Sequence, residues 1–478
     1  MKFIIKLFPE IMVKGNAVKK KMVNQLHFNL KTLLSRKLSD IETKRYWDKI
    51  EVFCTKEQGS QVRDILLKTP GIEQVLEVEQ SHAKTLEDIA EKVAEYAVPK
   101  IEGKTFVIRA KRTGTHDFSS FDMERFVGAY CFQKGNPKGV NLHYPDIKIE
   151  LEYHQDQLNI VQNRYPGLGG FPLGSQGEVL SLMSGGFDST VASYLTIKRG
   201  LKTHFIFFNL GGAAHEIGVK QVAFYLWEQF SASHRVEFIT VPFEEVVAEI
   251  FRSTHESYMG VTLKRLMLQA AEEIADQKGI DALVTGESVA QVSSQTLRNL
   301  ALIDQVTNKL VLRPLSVMSK PDIMAIADQI GTREFAENMP EYCGVISQNP
   351  ITHGSFKRME RESKKFDYAV LQQAIATAEF IPVDAIIANV NDAQAVEVIH
   401  EVDDQIVIDI RKEEQAASDP LNMEGALAIP FHKLNHEFKH LDPSKEYLLY
   451  CQKGVMSQLH AQYLQDAGFH NVKVYRPL

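Results

Sequence analysis

From Glu178 onward the chain alternates short apolar runs with helical stretches, and that alternation leaves few folds open. "VLSLM", "THFIFFNL", "HRVEFITV" and "DALVTGE" are strand candidates, each followed by a helical segment. Strand and helix in strict turn is the pattern of a parallel, doubly wound α/β sheet. The first of these strands runs directly into Ser184-Gly185-Gly186-Phe187-Asp188-Ser189, and a helix opens in "TVASYLTIKRG". Glycines let backbone N–H groups approach an anion closely, the serines add hydroxyl donors, and a helix N-terminus supplies positive potential. A Walker A loop would need G-x-x-x-x-G-K-[ST], and its lysine is absent. A Ser-Gly turn that merely caps a helix is the alternative, but strand, loop and helix stand in register here. Further on, "ALVTGESVAQVSSQT" ends a strand at Gly286 and Glu287, and strand ends of such sheets are where ligands bind. Lys264 and Arg265 lie on a helix; Lys320 stands at a helix start, with Ser319 and Asp322 spaced as a cap.

At 478 residues the chain is too long for one ordinary domain. "KFIIKLF", a helix in "KKKMVNQLHFNLKTLL", the strand-like "RYWDKIEVFC" and a short helix in "QVRDILLKTPGI" predict a small α+β unit. A second follows: helix "TLEDIAEKVAEYA", strand "KTFVIRAKR", a helix near "DMERFVGAY" and strand "DIKIELEYH". "YPGLGGFPLGSQG", with five glycines and two prolines in thirteen residues, reads as a linker. Residues 352–400 read as a charged helical connector, and the last 80 residues start another α/β unit. The expected division is 1–60, 61–165, 175–385 and 400–478. Charge is uneven: residues 1–170 hold 27 Lys+Arg against 22 Asp+Glu, the remainder 27 against 39, and the first fifty 12 against 4. A basic front end predicts a polyanionic partner. Lys19, Lys20, Lys21, Arg109, Lys111, Arg112 and His116 are the candidates for phosphate contacts, which supply affinity and register and leave the bases unread.

No apolar run is long enough to span a membrane, and "MKFIIKLFPEIMVKG" is too charged for a signal peptide, so a cytoplasmic setting is expected. The four cysteines, at 54, 131, 343 and 451, are far apart, which argues against a disulfide framework, a local zinc site or an iron–sulfur cluster. Cys451 closes the apolar strand of "YLLYCQKGVMSQLH", with five loop residues between it and a helix starting near Ser457. Loop N–H groups, the helix N-terminus and Lys453 would stabilise an anionic sulfur there. Cys343, in "NMPEYCGVIS", is a lone thiol with no local explanation.

Strand plus S-G-G-x-D-S resembles the PP-loop of the ATP pyrophosphatases, which cleave ATP between its α and β phosphates and adenylate an acceptor. "VIDIRKEE", "EGALAIP" and "EYLLYCQKGVMSQLHAQYLQDAGFHNV" are similar, in order and spacing, to a rhodanese domain, whose loop cysteine carries a persulfide. "EGKTFVIRAKRTGTHDFSSFDMERFVGAY" resembles a THUMP domain, an RNA-binding module, preceded by a ferredoxin-like unit. In motif order the whole chain resembles the tRNA uracil 4-sulfurtransferase (ThiI) family in its rhodanese-containing form. That resemblance implies ATP, with Mg2+, as cosubstrate, and a nucleotide site at Leu182, Met183, Ser184, Gly185, Gly186, Ser189, Lys264, Gly286 and Gln295, with Asp188 as the loop acid. It implies tRNA as substrate, thiolated at uridine 8, with a persulfide on Cys451 loaded by a cysteine desulfurase and a transient Cys343–Cys451 disulfide. A sulfur-carrier protein of thiamine synthesis and a homodimer complete the implied partners, and neither a resident metal nor an iron–sulfur cluster is implied. Two other classes stay open: an amide-forming ATP pyrophosphatase, and an RNA-binding sulfur carrier with a vestigial ATP site.

Overall fold

The computed structural model describes all residues except 211–212, 338, 340–348, 387–395, 412–415, 418, 422, 424, 431–432, 435–436, 452–456, 458–459, 462–463, 466 and 478. It divides into two units, Met1–Ser175 and Gln176–Leu478.

The first unit is built on one sheet. Its strands are β1 (Lys2–Leu7), β2 (Glu42–Arg45), β3 (Lys49–Phe53), β4 (Ile72–His82), β5 (Thr105–Thr113), β6 (Gly139–Val140), β7 (Ile147–His154) and β8 (Gln157–Gly169). They lie in the order β2-β3-β1-β4-β8-β7-β5-β6. Two cores share this sheet. Phe3, Ile5, Val23, Leu26, Leu30, Ile50 and Val52 pack together at one end, and Ile89, Val93, Phe106, Ile108, Val127, Leu151 and Tyr153 at the other. The long strands β4 and β8 pair with each other and join the two ends.

Three expectations change here. "RYWDKIEVFC" is not one strand: it belongs to a hairpin that turns through Trp47 and Asp48, with Tyr46 N–H bonded to Lys49 C=O at 2.9 Å. Val62, Leu66, Ile72 and Val75 pack with Phe3 and Leu26. The segment just after residue 60 therefore contributes to the first core, where the expected division had given it to the second domain. Tyr165–Gly169 is strand and not linker, because β8 continues along β4 to Ile72, where a Cβ on Gly167 would meet the Ile72 carbonyl oxygen at 2.3 Å.

In the second unit, β9 (Glu178–Leu182), β10 (Lys202–Asn209), β11 (Glu237–Pro242), β12 (Ala282–Val284), β13 (Leu310–Leu312) and β14 (Glu379–Pro382) form a sheet in the order β13-β12-β9-β10-β11-β14. All pairings are parallel except β11 with β14. The stretch read as a helical connector thus supplies an edge strand, after two helices, Phe356–Ser363 and Tyr368–Ala376. Chain order reverses at β9, which lies between β12 and β10, so the loop after β9 opens at a topological switch point. A further sheet of β15 (Val398–Ile399), β16 (Ile406–Asp409), β17 (Leu427–Ala428), β18 (Tyr447–Tyr450) and β19 (Val472–Tyr475) is wholly parallel, in the order β15-β19-β18-β16-β17. Among the described residues no helix is long and apolar enough to cross a membrane.

Candidate active site and sulfur-handling loop

Leu180 is fully buried in the sheet, and Met183, one residue past β9, still donates its N–H to the Ile206 carbonyl at 2.8 Å. The loop then turns through Gly185 at φ +80°, a region that a side chain would strain. Ser189 Oγ closes the turn: it accepts from Ser184 N–H at 3.1 Å, meets Ser184 Oγ at 3.1 Å and lies 3.3 Å from the Gly186 carbonyl. The helix Phe187–Lys198 starts here with no side-chain cap at Gly186, leaving its N-terminal dipole directed at the loop. His215 Nε2 lies 3.2 Å from the Ser184 carbonyl oxygen, with its ring edge-on to Phe207. Burial pushes that imidazole below its ordinary pKa.

Asp188 does not point into open space. Lys320 Nζ donates to its Oδ1 at 2.8 Å and Gln291 Nε2 to its Oδ2 at 2.7 Å. Lys320, which the sequence placed at a helix start, is thus brought to the loop. Gly286 presses on the start of the same helix. A Cβ there would lie 2.5 Å from the Asp188 carbonyl carbon and 2.6 Å from the Ser189 nitrogen. Gln295 is buried, and its Oε1 faces the Ser288 N–H at 3.4 Å.

Lys264 is held by Glu287, which the sequence placed at a strand end without pairing it to any cation. Its ammonium donates to Glu287 Oε1 at 2.8 Å, while Arg313 Nε donates to Glu287 Oε2 at 2.8 Å and Thr285 Oγ1 to the same oxygen at 3.1 Å. Burial opposes ionisation of Glu287, but the two cations outweigh it and hold the carboxyl below its ordinary pKa. Arg313 also reaches Asp304, which completes a four-charge network with no net charge. Arg265 turns away from the loop to the Leu302 carbonyl. Glu287 was legible as the end of a strand beside Gly286; Arg313 and Gln291 carried no signal.

Cys451 follows β18, and the Ser457 N–H donates to its Sγ at 3.3 Å, with the Ser457 hydroxyl 3.4 Å away. Cys451 and Ser457, on either side of residues 452–456, are therefore in contact, while Lys453 lies outside the described residues, as does Cys343. Next to Cys451, Tyr450 receives the buried Arg411 guanidinium over its ring at 5.1 Å, and Arg411 pairs with Asp409 at 2.7 Å. The remaining thiols are structural. Cys131 is buried in the second core and pushed up to about 11, and burial also raises Cys54.

The basic candidates of the first unit are not equivalent. Lys20, Lys21 and Lys111 are exposed, and Lys19 Nζ lies over the Trp47 ring at 5.0 Å. Arg109 is committed to the Leu142 carbonyl at 2.6 Å and lies 3.6 Å from Glu124. Arg112 turns back to the Gly114 carbonyl at 3.0 Å, and His116 packs on Tyr153 at 4.8 Å.

A glycine-serine loop at the switch point of a parallel sheet, on the same chain as a cysteine-bearing rhodanese-type unit, defines a PP-loop protein equipped to handle sulfur. The family description "Thiamine biosynthesis protein (ThiI)" matches residues 174–368, flanked by a ThiI ferredoxin-like domain at 2–75, a THUMP domain at 83–161 and a rhodanese-like domain at 392–476. A tRNA sulfurtransferase of Pseudomonas putida is 48% identical over 483 residues, covering 100% of both chains. One of Vibrio parahaemolyticus is 49% identical over 482 residues, again with 100% coverage of both. Among solved structures, a 4-thiouridine synthetase crystallised with RNA and ATP shares the fold at a TM-score of 0.69 and 24% identity, over 80% of this chain and 99% of that one. The chain belongs to the tRNA sulfurtransferase family.

Proposed function

We propose that the protein replaces the C4 oxygen of uridine 8 in tRNA with sulfur, in two chemical stages. A carbonyl oxygen is a poor leaving group, so the first stage attaches AMP to it and releases pyrophosphate. The Ser184–Ser189 loop carries this reading: its turn, its hydroxyls and an uncapped helix N-terminus offer donors where negative charge develops on phosphate. Leu182, Met183, Gly185, Gly186, Gly286 and Gln295 surround the nucleotide, with Lys264 and Lys320 as its cations. Mg2+ fits as the nucleotide's companion. Asp188 offers one carboxylate at the loop, while Glu287 is already held by two cations, and Mg2+ characteristically takes one or two carboxylates plus substrate phosphates. When bound, it would neutralise charge on the departing pyrophosphate.

In the second stage the terminal sulfur of a Cys451 persulfide, loaded by a cysteine desulfurase, attacks C4 and displaces AMP. The base is then joined to Cys451 through a disulfide. Cys343 thiolate attacks the Cys451 sulfur, the S–S electron pair leaves with the base as 4-thiouridine, and Cys343–Cys451 remains as a disulfide. A dithiol reductant returns both thiols, as a reducing cytoplasm allows. Met339 supports a place for Cys343 near the adenylation loop: a Cβ on Gly185 would meet its Cε at 2.5 Å, and four residues of chain, Met339 to Cys343, reach about 14 Å. The same persulfide would serve a sulfur-carrier protein of thiamine synthesis, and the protein would act as a homodimer. Lys19, Lys20, Lys21, Arg109, Lys111, Arg112 and His116 lie in the unit that would take up tRNA, with the exposed lysines meeting phosphate directly and the others shaping the surface.

Incubating unmodified tRNA with ATP, a persulfide donor and the protein should convert one uridine per tRNA to thiouridine by mass spectrometry, with pyrophosphate released. Absence of the shift would overturn the reading.

A further inference from the structure

The hairpin that replaced the expected single strand presents an indole to solvent. Trp47 is 70% exposed at its tip, although tryptophan is among the side chains most costly to leave in water. The hairpin is anchored to the helix Asn16–Ser35: Arg45 bonds the Asn24 side chain, and Thr43 Oγ1 meets His27 Nε2 at 2.9 Å. Lys20, Asn24, His27 and Lys31 recur at helical spacing, so this anchoring sets the hairpin beside the lysines of that face. Lys19 Nζ stands 5.0 Å from the Trp47 centroid. The acidic groups nearby are few: Glu42 is paired with Lys44 at 3.2 Å, Glu51 with Lys49 at 2.7 Å, and Asp48 is half-buried in the turn. His27 reports the surplus of positive charge, since after burial the charges of Lys31 and Arg45 depress its pKa.

We propose that the Trp47 hairpin is a stacking platform for an unpaired nucleotide of tRNA, with Lys19, Lys20, Lys21 and Lys31 holding the adjoining phosphates. An exposed aromatic face ringed by cations suits a base stacked out of a helix. A protein partner's apolar patch would leave those cations facing uncharged surface. The proposal rests on tRNA as substrate and adds where on the first unit an unpaired base is held.

The chain has two tryptophans, and the other, Trp227, is 3% exposed with its N–H bonded to the His234 carbonyl at 2.8 Å. Tryptophan emission of the full-length protein therefore reports Trp47 when accessibility changes. Titration with tRNA should quench emission and protect it from acrylamide, in parallel with a rise in anisotropy of labelled tRNA. Trp47→Ala should weaken tRNA binding about ten-fold, the scale of one lost base–aromatic stack, while Trp47→Phe retains most of it. Binding by anisotropy with unchanged emission and an unaffected Trp47→Ala variant would overturn the platform and leave the tRNA reading standing. No rise in anisotropy would overturn both. An emission change that follows protein concentration and not tRNA would assign the hairpin to self-association.

Discussion

Gly286 shows how one residue can fix the position of a helix start through close backbone approach. Its Cα hydrogen stands where a Cβ would lie 2.5 Å from the Asp188 carbonyl carbon and 2.8 Å from its oxygen, both backbone atoms that no rotamer change can move. Gly286→Ala must therefore push the first turn of the helix Phe187–Lys198 away from β12. That displaces the N–H groups proposed to meet phosphate, and a shift of about 1 Å at a reacting centre costs on the order of 100-fold in rate. ATP–pyrophosphate exchange should fall by that order while the circular dichroism spectrum stays native. Unchanged exchange would mean that the loop takes its shape from Ser184 and Ser189 alone. Asp188 illustrates the opposite case: its carboxylate is positioned by two donors, Lys320 and Gln291, from segments more than a hundred residues further along the chain. That pairing was invisible in the sequence, which exposes local spacing and hides tertiary partners.

At the scale of elements, period and punctuation made β1, β5, β7 and β9 to β12 legible, because alternating or continuous apolar runs stand between clear breaks. The hairpin at Trp47 escaped, since its turn lacks glycine and no Asn-Gly signal marks it. β14 escaped because four residues, "EFIP", follow a charged helical stretch and pair antiparallel at a sheet edge. The buried network around Glu287 belongs to this scale, tying the helix Met259–Lys278, the end of β12 and the residue after β13 together. Glu287→Gln keeps the shape but leaves Lys264 and Arg313 short of a counter-charge. Lys264 should then lose its set position, raising KM for ATP several-fold more than it lowers kcat, whereas a purely structural role would lower the active fraction alone. A separate pH effect comes from the helical face on which Ser457, His460, Ala461 and Leu464 are buried at helical spacing. Burial lowers His460 from 6.5 to about 4. Below pH 6.5 the unfolded chain takes up a proton that the folded one refuses, so stability falls as pH drops from 6.5 toward 4, by about 1.4 kcal/mol per unit. Melting of the wild type over that window should be steeper in pH than melting of His460→Leu; equal slopes would remove His460 as the responsible group.

For the whole molecule, the proposed chemistry would have one sulfur atom travel from a rhodanese-type loop to an adenylated base bound at a different sheet. Cys451 is set for the first half of that task, with the Ser457 N–H 3.3 Å from its sulfur and the Arg411–Tyr450–Asp409 cluster fixing the strand end beside it. Cys131 is buried in one core of the first unit and Cys54 packs, partly buried, against the other, and burial raises the pKa of both. In the proposed cycle, release of the base from Cys451 takes another thiol, and Cys343 is the remaining cysteine of the chain. The prediction separates three steps by which variant stops where. Cys451→Ala should keep ATP–pyrophosphate exchange with tRNA, which needs the proposed nucleotide site and not this thiol, and lose thiolation. Cys343→Ala should keep both exchange and the loading of radiolabelled sulfur onto Cys451. Mixed with tRNA and ATP, it should then trap the label in a tRNA–protein adduct that dithiothreitol releases as thiolated tRNA. In the wild type the same reaction without reductant should stop after one turnover, with a Cys343–Cys451 crosslink in the peptide map. Full multiple turnover by Cys343→Ala without added thiol would show that the persulfide reaches the base unaided, and would remove the disulfide from the cycle.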